Sequence, residues 1–227
     1  MTLTAYGADH SLSEHPTMTT TQFQPIAREA VSADAVTTAQ RLLGTYLVRE
    51  DAHGRRIARI VETEAYAGPR DRASHARAGA TARTAVMFGP PGHAYVYLVY
   101  GLHHCLNVVC DADGEAAAVL IRAVEPIAGA ERMRTRRGAT GGRDERLAAG
   151  PARTCQALEI DRELGGLDLL ADARLWLADR PSDSPSFEVV SGPRIGVDYA
   201  GPDWAARPWR FGVSGSPSLS KPSGKRD

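Results

Sequence analysis

Two strand-like runs on either side of a Tyr-Gly dipeptide constrain the fold more than any other feature of this sequence. The runs are His93–Tyr100 and Cys105–Cys110, and both are rich in β-branched and aromatic residues. Such runs around a tight turn predict an antiparallel β-hairpin. Its tip would carry Tyr100, Leu102 and His103, although the tips of hairpins are normally polar.

Two explanations of this apolar tip are open. In the first, the tip is a wedge that enters a stack of nucleic-acid bases, as in proteins that bind the minor groove. In the second, the tip packs beneath another loop of the same domain. The residues of the hairpin alone slightly favour the packed tip.

The other elements predict a single α+β domain without repeats. Ser32 is expected to cap a helix that ends at Gly44, and Pro151 to begin a helix that runs to Leu158. The segment 132–146 is expected to combine the end of a helix with a loop. Further strands are predicted at Thr45–Val48, Ile57–Tyr66, Ala116–Ala123, Leu175–Leu177, Glu188–Val190, Arg194–Val197 and Trp209–Val213, with a turn at Asp51–Gly54 between the first two.

Composition changes at both ends of the chain. Residues 1–25 are rich in Thr, Ser and His, and residues 216–227 are rich in Ser, Pro, Gly and Lys. Such segments bury little apolar surface, so we expect both to be flexible. This leaves residues 26–215 as the folded domain.

The strand that ends at Tyr66 carries two glutamates in an otherwise apolar run. Its period-two alternation places Glu62, Glu64 and Tyr66 on one face. Charged side chains are costly to bury, so this face is either an exposed edge or the wall of a polar cleft. Periodicity alone favours the exposed edge.

One arginine and one His-His-Cys sequence are further candidates for chemistry. Arg122 ends an apolar strand, where it either forms a salt bridge with Glu125 or extends into a site for a polyanion. In the run from His103 to Cys105, neighbouring side chains on a strand would point to opposite faces, so no metal site is predicted.

The basic residues are almost all arginine, which excludes several reaction types. The chain of 227 residues has 25 arginines and two lysines, Lys221 and Lys225. Without a lysine in its body, the chain cannot form a P-loop or a lysine Schiff base. Three cysteines are too few for a disulfide framework, and we find no signal peptide and no apolar run long enough for a membrane span. We therefore expect a soluble protein of the reduced cytoplasm.

The formal net charge is zero, but the charges are unevenly distributed. Residues 70–83 contain four arginines and one aspartate, and residues 122–153 contain eight arginines and four acids. Residues 159–183 instead contain seven acids and three arginines. If the two basic segments shared a face, that face would suit a polyanion, whereas charge alone favours ordinary solvated loops.

Four long motifs together are more specific than any of these features. They are RIVETEAYAGPRDRASHA, MFGPPGHAYVYLVYGLHHCLNVV, AVLIRAVEP and GPARTCQALEID. In order and spacing they resemble the alkyladenine (3-methyladenine) DNA glycosylase family. With the later RIGV and RF…GSPS, the resemblance runs from about Ser32 to Ser218. It implies one compact α+β domain with a curved antiparallel sheet, flanking helices and a protruding hairpin that intercalates into DNA.

The resemblance also implies roles for individual residues. Glu64 would be the general base that activates the attacking water, and Tyr100 would intercalate into the base stack. Leu102 and His103 would lie beside it in the minor groove, and Arg122 would contact the phosphate of the flipped nucleotide. The residues expected to form the pocket for the flipped base are Tyr66, His75, Tyr97, Asn107 and Ile195.

The implied function is that of a monofunctional DNA glycosylase. It would flip alkylated or deaminated purines out of double-stranded DNA and hydrolyse the N-glycosidic bond, which leaves an abasic site for base-excision repair. We expect a monomer that needs no metal and no cofactor. Two other functions are open: a non-catalytic nucleic-acid-binding domain, which has little use for Glu64, and a small-molecule nucleoside hydrolase, which has no use for a wedge or arginine clusters.

Overall fold

One curved antiparallel sheet forms the framework of the domain. A computed structural model describes residues 23–220 of the chain. Within them, the sheet has eight strands. The strands are β1 (Tyr46–Asp51), β2 (Gly54–Tyr66), β3 (Ala94–Val99), β4 (His103–Cys110), β5 (Ala117–Ala128), β6 (Leu175–Ala178), β7 (Val189–Gly192) and β8 (Arg210–Val213).

The long strand β2 has neighbours along both of its sides. It pairs with β5 on one side, and on the other side with β1 over its first half and β8 over Glu62–Glu64. The main path runs β3-β4-β5-β2-β1-β6, and β7 pairs with β8. The exposed edge that periodicity favoured for β2 is therefore wrong, because a strand paired on both sides has no free edge.

Four helices flank the sheet in the described residues. They are α1 (Ala35–Arg41), α2 (Ala130–Arg136), α3 (Pro151–Leu158) and α4 (Pro202–Ala205). Helix α3 begins at the proline that the sequence indicated and contacts β4 and β5. Helix α1 is capped by Asp34 and not by Ser32, because the Asp34 carboxylate accepts the backbone N–H groups of Val36 and Thr37.

The two faces of the central strands have different surroundings. On β5, Val119 and Ile121 belong to the main hydrophobic core beneath the helices. The alternate residues Leu120 and Arg122 face the other side, where a cleft opens. One face of the sheet thus stabilises the fold and the opposite face is available for a site.

The hairpin of β3 and β4 is present as expected, and its tip is exposed. Tyr100 and Gly101 have positive φ angles of 52° and 70°, and the backbone N–H of Leu102 donates to the carbonyl oxygen of Val99 at 3.0 Å. The side chains of Tyr100 and Leu102 are 92% and 76% exposed. The packed tip that the residues slightly favoured is therefore wrong.

Two other expectations differ from the structure. Residues 194–197 form a turn and not a strand. The packed domain extends beyond 26–215, because Phe23 is buried, Pro25 bridges to Ala178, and Ser218 and Ser220 are buried. The rest of the two expected tails, residues 1–22 and 221–227, lies outside the described residues. Among residues 23–220, no helix has the length and apolar character needed to cross a membrane.

Candidate active site

A cleft of about 660 Å³ lies between the hairpin, the centre of the sheet and the 194–197 turn. Its walls come from β2, β3, β5, the start of α3 and that turn. The structure thus brings together residues that are far apart in the sequence. The predicted site residues that line the cleft are Glu64, Tyr66, Tyr97, Tyr100, His103, Arg122 and Ile195.

Glu64 is fully buried at the floor of this cleft. Its carboxylate accepts the backbone N–H of Ile195 at 2.7 Å and the hydroxyl of Tyr66 at 2.9 Å. The guanidinium of Arg122 lies 3.1 Å away and forms an ion pair with it. Burial raises the pKa of Glu64 above its usual range, while Arg122 and the two hydrogen bonds act in the opposite direction. The site therefore holds a carboxylate that accepts a proton more readily than an exposed glutamate does.

Glu62, the second glutamate of β2, is also buried and is fully engaged. It accepts the Nη1 group of Arg210 at 3.0 Å and the backbone N–H of Ser220 at 2.7 Å, and its oxygen lies 3.5 Å from Nε of Arg122. Burial alone would lower the pKa of Arg122, but the two carboxylates outweigh burial and raise it. The Arg122 guanidinium is therefore charged and shared between two glutamates.

An aromatic recess adjoins the cleft. The imidazole of His75 packs edge-on against Tyr97 with 4.5 Å between ring centroids, and its Nδ1 lies 2.9 Å from the hydroxyl of Tyr95. The rings of Tyr95 and Tyr97 stack at 5.3 Å. Burial raises the pKa of Tyr95 to about 12 and, with Arg83, lowers the pKa of His75, so these groups are neutral near pH 7. The recess is lined by Tyr66, Ala73, Ser74, His75, Met87, Tyr95, Tyr97, Asn107, Ala118 and Tyr199.

Not every predicted site residue faces the cleft. His75 and Asn107 line the recess, and the Asn107 side-chain amide donates to the carbonyl oxygen of Tyr95 at 3.2 Å. Leu102 lines a different groove, between the hairpin and α3. Of the two alternatives left open for Arg122, the salt bridge with Glu125 does not form, because Glu125 instead pairs with Arg59 across the sheet.

Sequence reasoning missed Tyr95, although its signal was present. Tyr95 is two residues before Tyr97, so strand alternation places both rings on one face. Tyr199 also lines both the cleft and the recess. No local pattern marks Tyr199, because it is brought there by a chain reversal far along the sequence.

A second missed feature is the buried ion pair that holds the 194–197 turn. Arg194 and Asp71 both have side-chain exposures of 0%, and Nη2 of Arg194 donates to Oδ1 of Asp71 at 3.0 Å. Arg194 also donates to the carbonyl oxygen of Ala65 at 2.9 Å and lies 4.8 Å from the ring centroid of Tyr66. These contacts fix the turn whose Ile195 N–H reaches Glu64.

The two basic segments differ in whether their arginine side chains have ion-pair or hydrogen-bond partners. In 122–153, seven of the eight arginine side chains have partners, for example Arg132 with Glu159 and Arg146 with two backbone carbonyls. In 70–83, all four arginines are exposed, and within residues 23–220 none forms an ion pair or a side-chain hydrogen bond. Free positive charge is thus concentrated in the segment that contributes to the recess.

Across the same described part of the chain, no group of three or more His, Cys, Asp or Glu residues is arranged to hold a metal ion.

Comparison with known proteins places the chain in a family. A family profile described as methylpurine-DNA glycosylase matches residues 29–217, which include the whole cleft apart from Ser220. A protein of Anaeromyxobacter dehalogenans (strain 2CP-1), provisionally named 3-methyladenine DNA glycosylase, is 54% identical over 190 residues, 83% of this chain and 82% of that protein. The sequence that forms the fold and the cleft therefore matches that of a known enzyme class.

Relatives from other lineages agree with this match. A protein of Methanocella arvoryzae with the same provisional name is 50% identical over 196 residues, 86% of this chain and 96% of that protein. The DNA-3-methyladenine glycosylase of Mus musculus is 47% identical over 196 residues, 82% of this chain and 58% of the mouse protein. This chain belongs to the methylpurine-DNA glycosylase family.

We expect the buried pair of Arg194 and Asp71 to be important for stability. Asp71→Asn leaves an uncompensated buried guanidinium and should lower the free energy of unfolding by about 3–5 kcal/mol. Asp144→Asn is the matched control, because Asp144 pairs with Arg134 at the surface and should cost under about 1 kcal/mol. Denaturant unfolding measures both, and equal losses would contradict the assignment.

Proposed function

We propose that this protein is a monofunctional DNA glycosylase that removes alkylated or deaminated purines from double-stranded DNA. The observation that carries the proposal is the buried carboxylate of Glu64 at the floor of a cleft that has an aromatic recess on one side. The names of the relatives, which include 3-methyladenine DNA glycosylases, support the choice of substrate. A target base inside a duplex must leave the stack to reach such a floor, so the reaction includes base flipping.

The chemistry follows from the position of Glu64. Cleavage of the N-glycosidic bond develops positive charge on the sugar, and a nearby carboxylate stabilises it. Glu64 accepts a proton from a water molecule as the water oxygen bonds to the sugar carbon, and the base leaves with the bonding electron pair. Arg122 keeps Glu64 ionised before the reaction, because it lies 3.1 Å from the carboxylate.

The flipped base is expected to lie where the cleft meets the recess, since the recess alone has a volume of only about 40 Å³. Tyr66 and Tyr97 offer aromatic faces, and base stacking is worth about 1–3 kcal/mol. An alkylated purine carries positive charge, which such electron-rich rings favour. Asn107 lies at the inner wall, where we assign it the exclusion of the exocyclic amine of normal guanine, and Ile195 contributes an aliphatic contact.

The body of the chain has no lysine, which limits the chemistry that can occur after base release. A lyase step through an imine needs an amine in the site, and residues 23–220 contain no lysine, whereas Lys221 and Lys225 lie outside the described residues. We therefore propose hydrolysis to an abasic site with no strand cleavage. We expect a monomer to act, because excision of a single lesion needs no symmetry, and we place it in the cytoplasm as its bacterial relatives suggest.

The two rival functions fit the structure less well. A domain that only binds nucleic acid gains nothing from a buried carboxylate in its cleft, because carboxylate and phosphate repel each other. A nucleoside hydrolase gains nothing from Tyr100, which is 92% exposed at a hairpin tip. Excision from single-lesion duplexes containing hypoxanthine, ethenoadenine or a methylated purine, compared with hydrolysis of the free nucleosides, separates the three functions.

Glu64→Gln should retain binding to a lesion duplex and lose excision by about 100-fold or more, because the amide cannot accept the proton of the water. Single-turnover excision and gel-shift affinity measure the two effects. Glu125→Gln is the control, since that carboxylate lies in a surface pair with Arg59. Near wild-type excision by Glu64→Gln would overturn the assignment and make Glu62 the next candidate.

Trapping of a covalent enzyme–DNA adduct by borohydride would show an imine intermediate and would overturn the hydrolytic route.

Tyr100→Ala should weaken base flipping by about tenfold, since the side chain no longer fills the vacated stack. The fluorescence of a lesion such as ethenoadenine reports flipping. The melting temperature should not change, because the Tyr100 side chain is 92% exposed. Tyr100→Phe keeps the ring and should flip the base as the wild type does. Equal flipping by the alanine variant would refute the wedge.

The free arginines of 70–83 should supply contacts to DNA phosphates. Arg72→Gln and Arg77→Gln should each reduce the slope of log K against log salt concentration by about 0.9, the value for one lost phosphate contact. Arg132→Gln removes the same charge from a guanidinium that Glu159 already occupies, so its slope should stay at the wild-type value. Equal slopes in all three variants would show that net charge alone matters.

A further inference from the structure

Residues 216–220, which we call the C-terminal strap, pack against the floor of the cleft. Ser218 is fully buried, and Ser220 is 8% exposed. Arg146 fastens the strap, because its Nη1 group donates to the carbonyl oxygens of Pro217 and Leu219, both at 3.0 Å. This segment was expected to be a flexible tail, yet it contributes Ser220 to the lining of the cleft.

Ser220 contacts Glu62 and Arg122, the two charged residues that lie next to Glu64. Its backbone N–H donates to Oε2 of Glu62 at 2.7 Å. Its hydroxyl oxygen accepts Nη2 of Arg122 at 3.3 Å. Ser220 therefore contacts both the carboxylate of Glu62 and the guanidinium of Arg122, which lie beside Glu64.

We propose that Ser220 is a positioning residue for the reaction: the C-terminal strap holds Arg122 against Glu64. This inference rests on the proposed function, in which Glu64 activates the water.

The argument for positioning comes from the way Arg122 is shared. Its Nη1 lies 3.1 Å from Glu64, whereas its Nε lies 3.5 Å from Glu62, so two buried carboxylates attract one guanidinium. Ser220 shifts this competition in two ways. Its N–H, together with Arg210, satisfies Glu62, and its hydroxyl accepts Nη2 of Arg122, while Nη1 of the same guanidinium faces Glu64. The Nη1 group of Arg122 therefore stays in its ion pair with Glu64.

A displaced Arg122 would change the charge balance at Glu64. Less positive charge near this carboxylate raises its pKa further, and excision needs the ionised form. The acidic limb of the rate profile would then move to higher pH. The titratable and charged groups that face Glu64 from the surrounding elements are Glu62, Tyr66, Tyr97, Cys105, Arg122 and Tyr199.

Ser220→Ala removes the hydroxyl and keeps the backbone N–H. We expect single-turnover excision at saturating enzyme to fall about three- to tenfold, the effect of one hydrogen bond of ordinary strength, because the contact is long at 3.3 Å. The affinity for the lesion duplex should stay within about twofold, because Ser220 acts on the charged floor and not on DNA. The acidic limb should move to higher pH, and Ser220→Thr should restore most of the rate.

Ser220→Pro tests the second contact, because proline has no N–H to donate to Glu62. It should reduce excision further than Ser220→Ala, with a larger displacement of the acidic limb. The melting temperatures of all variants identify any loss that comes from unfolding alone, and the alanine variant tests the inference even where the proline variant does not fold.

Ser218→Ala is the matched control. Ser218 belongs to the same strap and is more buried, but within residues 23–220 its hydroxyl has no hydrogen-bond partner. Wild-type excision and an unchanged pH profile are expected. The inference fails if Ser220→Ala excises at the wild-type rate with the same profile, or if Ser218→Ala loses as much. If the wild type itself excises no lesion, the proposed function fails instead.

Discussion

The rest of the structure depends on the burial of two carboxylates, two residues apart on one strand face. Removing each charge from water costs several kcal/mol unless a partner replaces the lost hydration. Arg122 from β5, Arg210 from β8 and the N–H groups of Ile195 and Ser220 provide that replacement. Strands β5 and β8 must both lie beside β2 for these groups to meet. The sheet order thus supplies the partners that these buried charges need.

The site separates two physical environments that one reaction needs. The recess is aromatic and neutral, since burial keeps its tyrosines protonated and its histidine uncharged. The floor is ionic, with carboxylates and guanidinium groups in contact. A base is recognised by stacking, which needs no charge, whereas a sugar that becomes positive needs a carboxylate. Tyr66 joins the two, because its ring lines the recess and its hydroxyl donates to Glu64.

Local patterns predicted the hairpin, helix α3 and the main strands, because these depend on turn residues and on alternation within a few positions. The motifs also indicated Glu64 and Tyr66, whose side chains meet in the cleft. The edge or core status of β2 was predicted wrongly, since alternation does not reveal how many neighbours a strand has. Arg194 and Ser220 were missed because they contact groups 123 and 98 residues away, a separation that no local pattern encodes.

The placement of Glu64 on the most extensively paired strand has a consequence for divergence within the family. Glu64, the proposed general base, is held by a strand that is paired on both sides, so its position is fixed by the sheet. The four exposed arginines of residues 70–83 and the side chains of the hairpin tip lie in connecting segments, where their substitution alters neither core packing nor the buried ion pairs. Substitutions at these exposed positions can therefore change the contacts of the protein surface while the buried floor of the cleft stays the same.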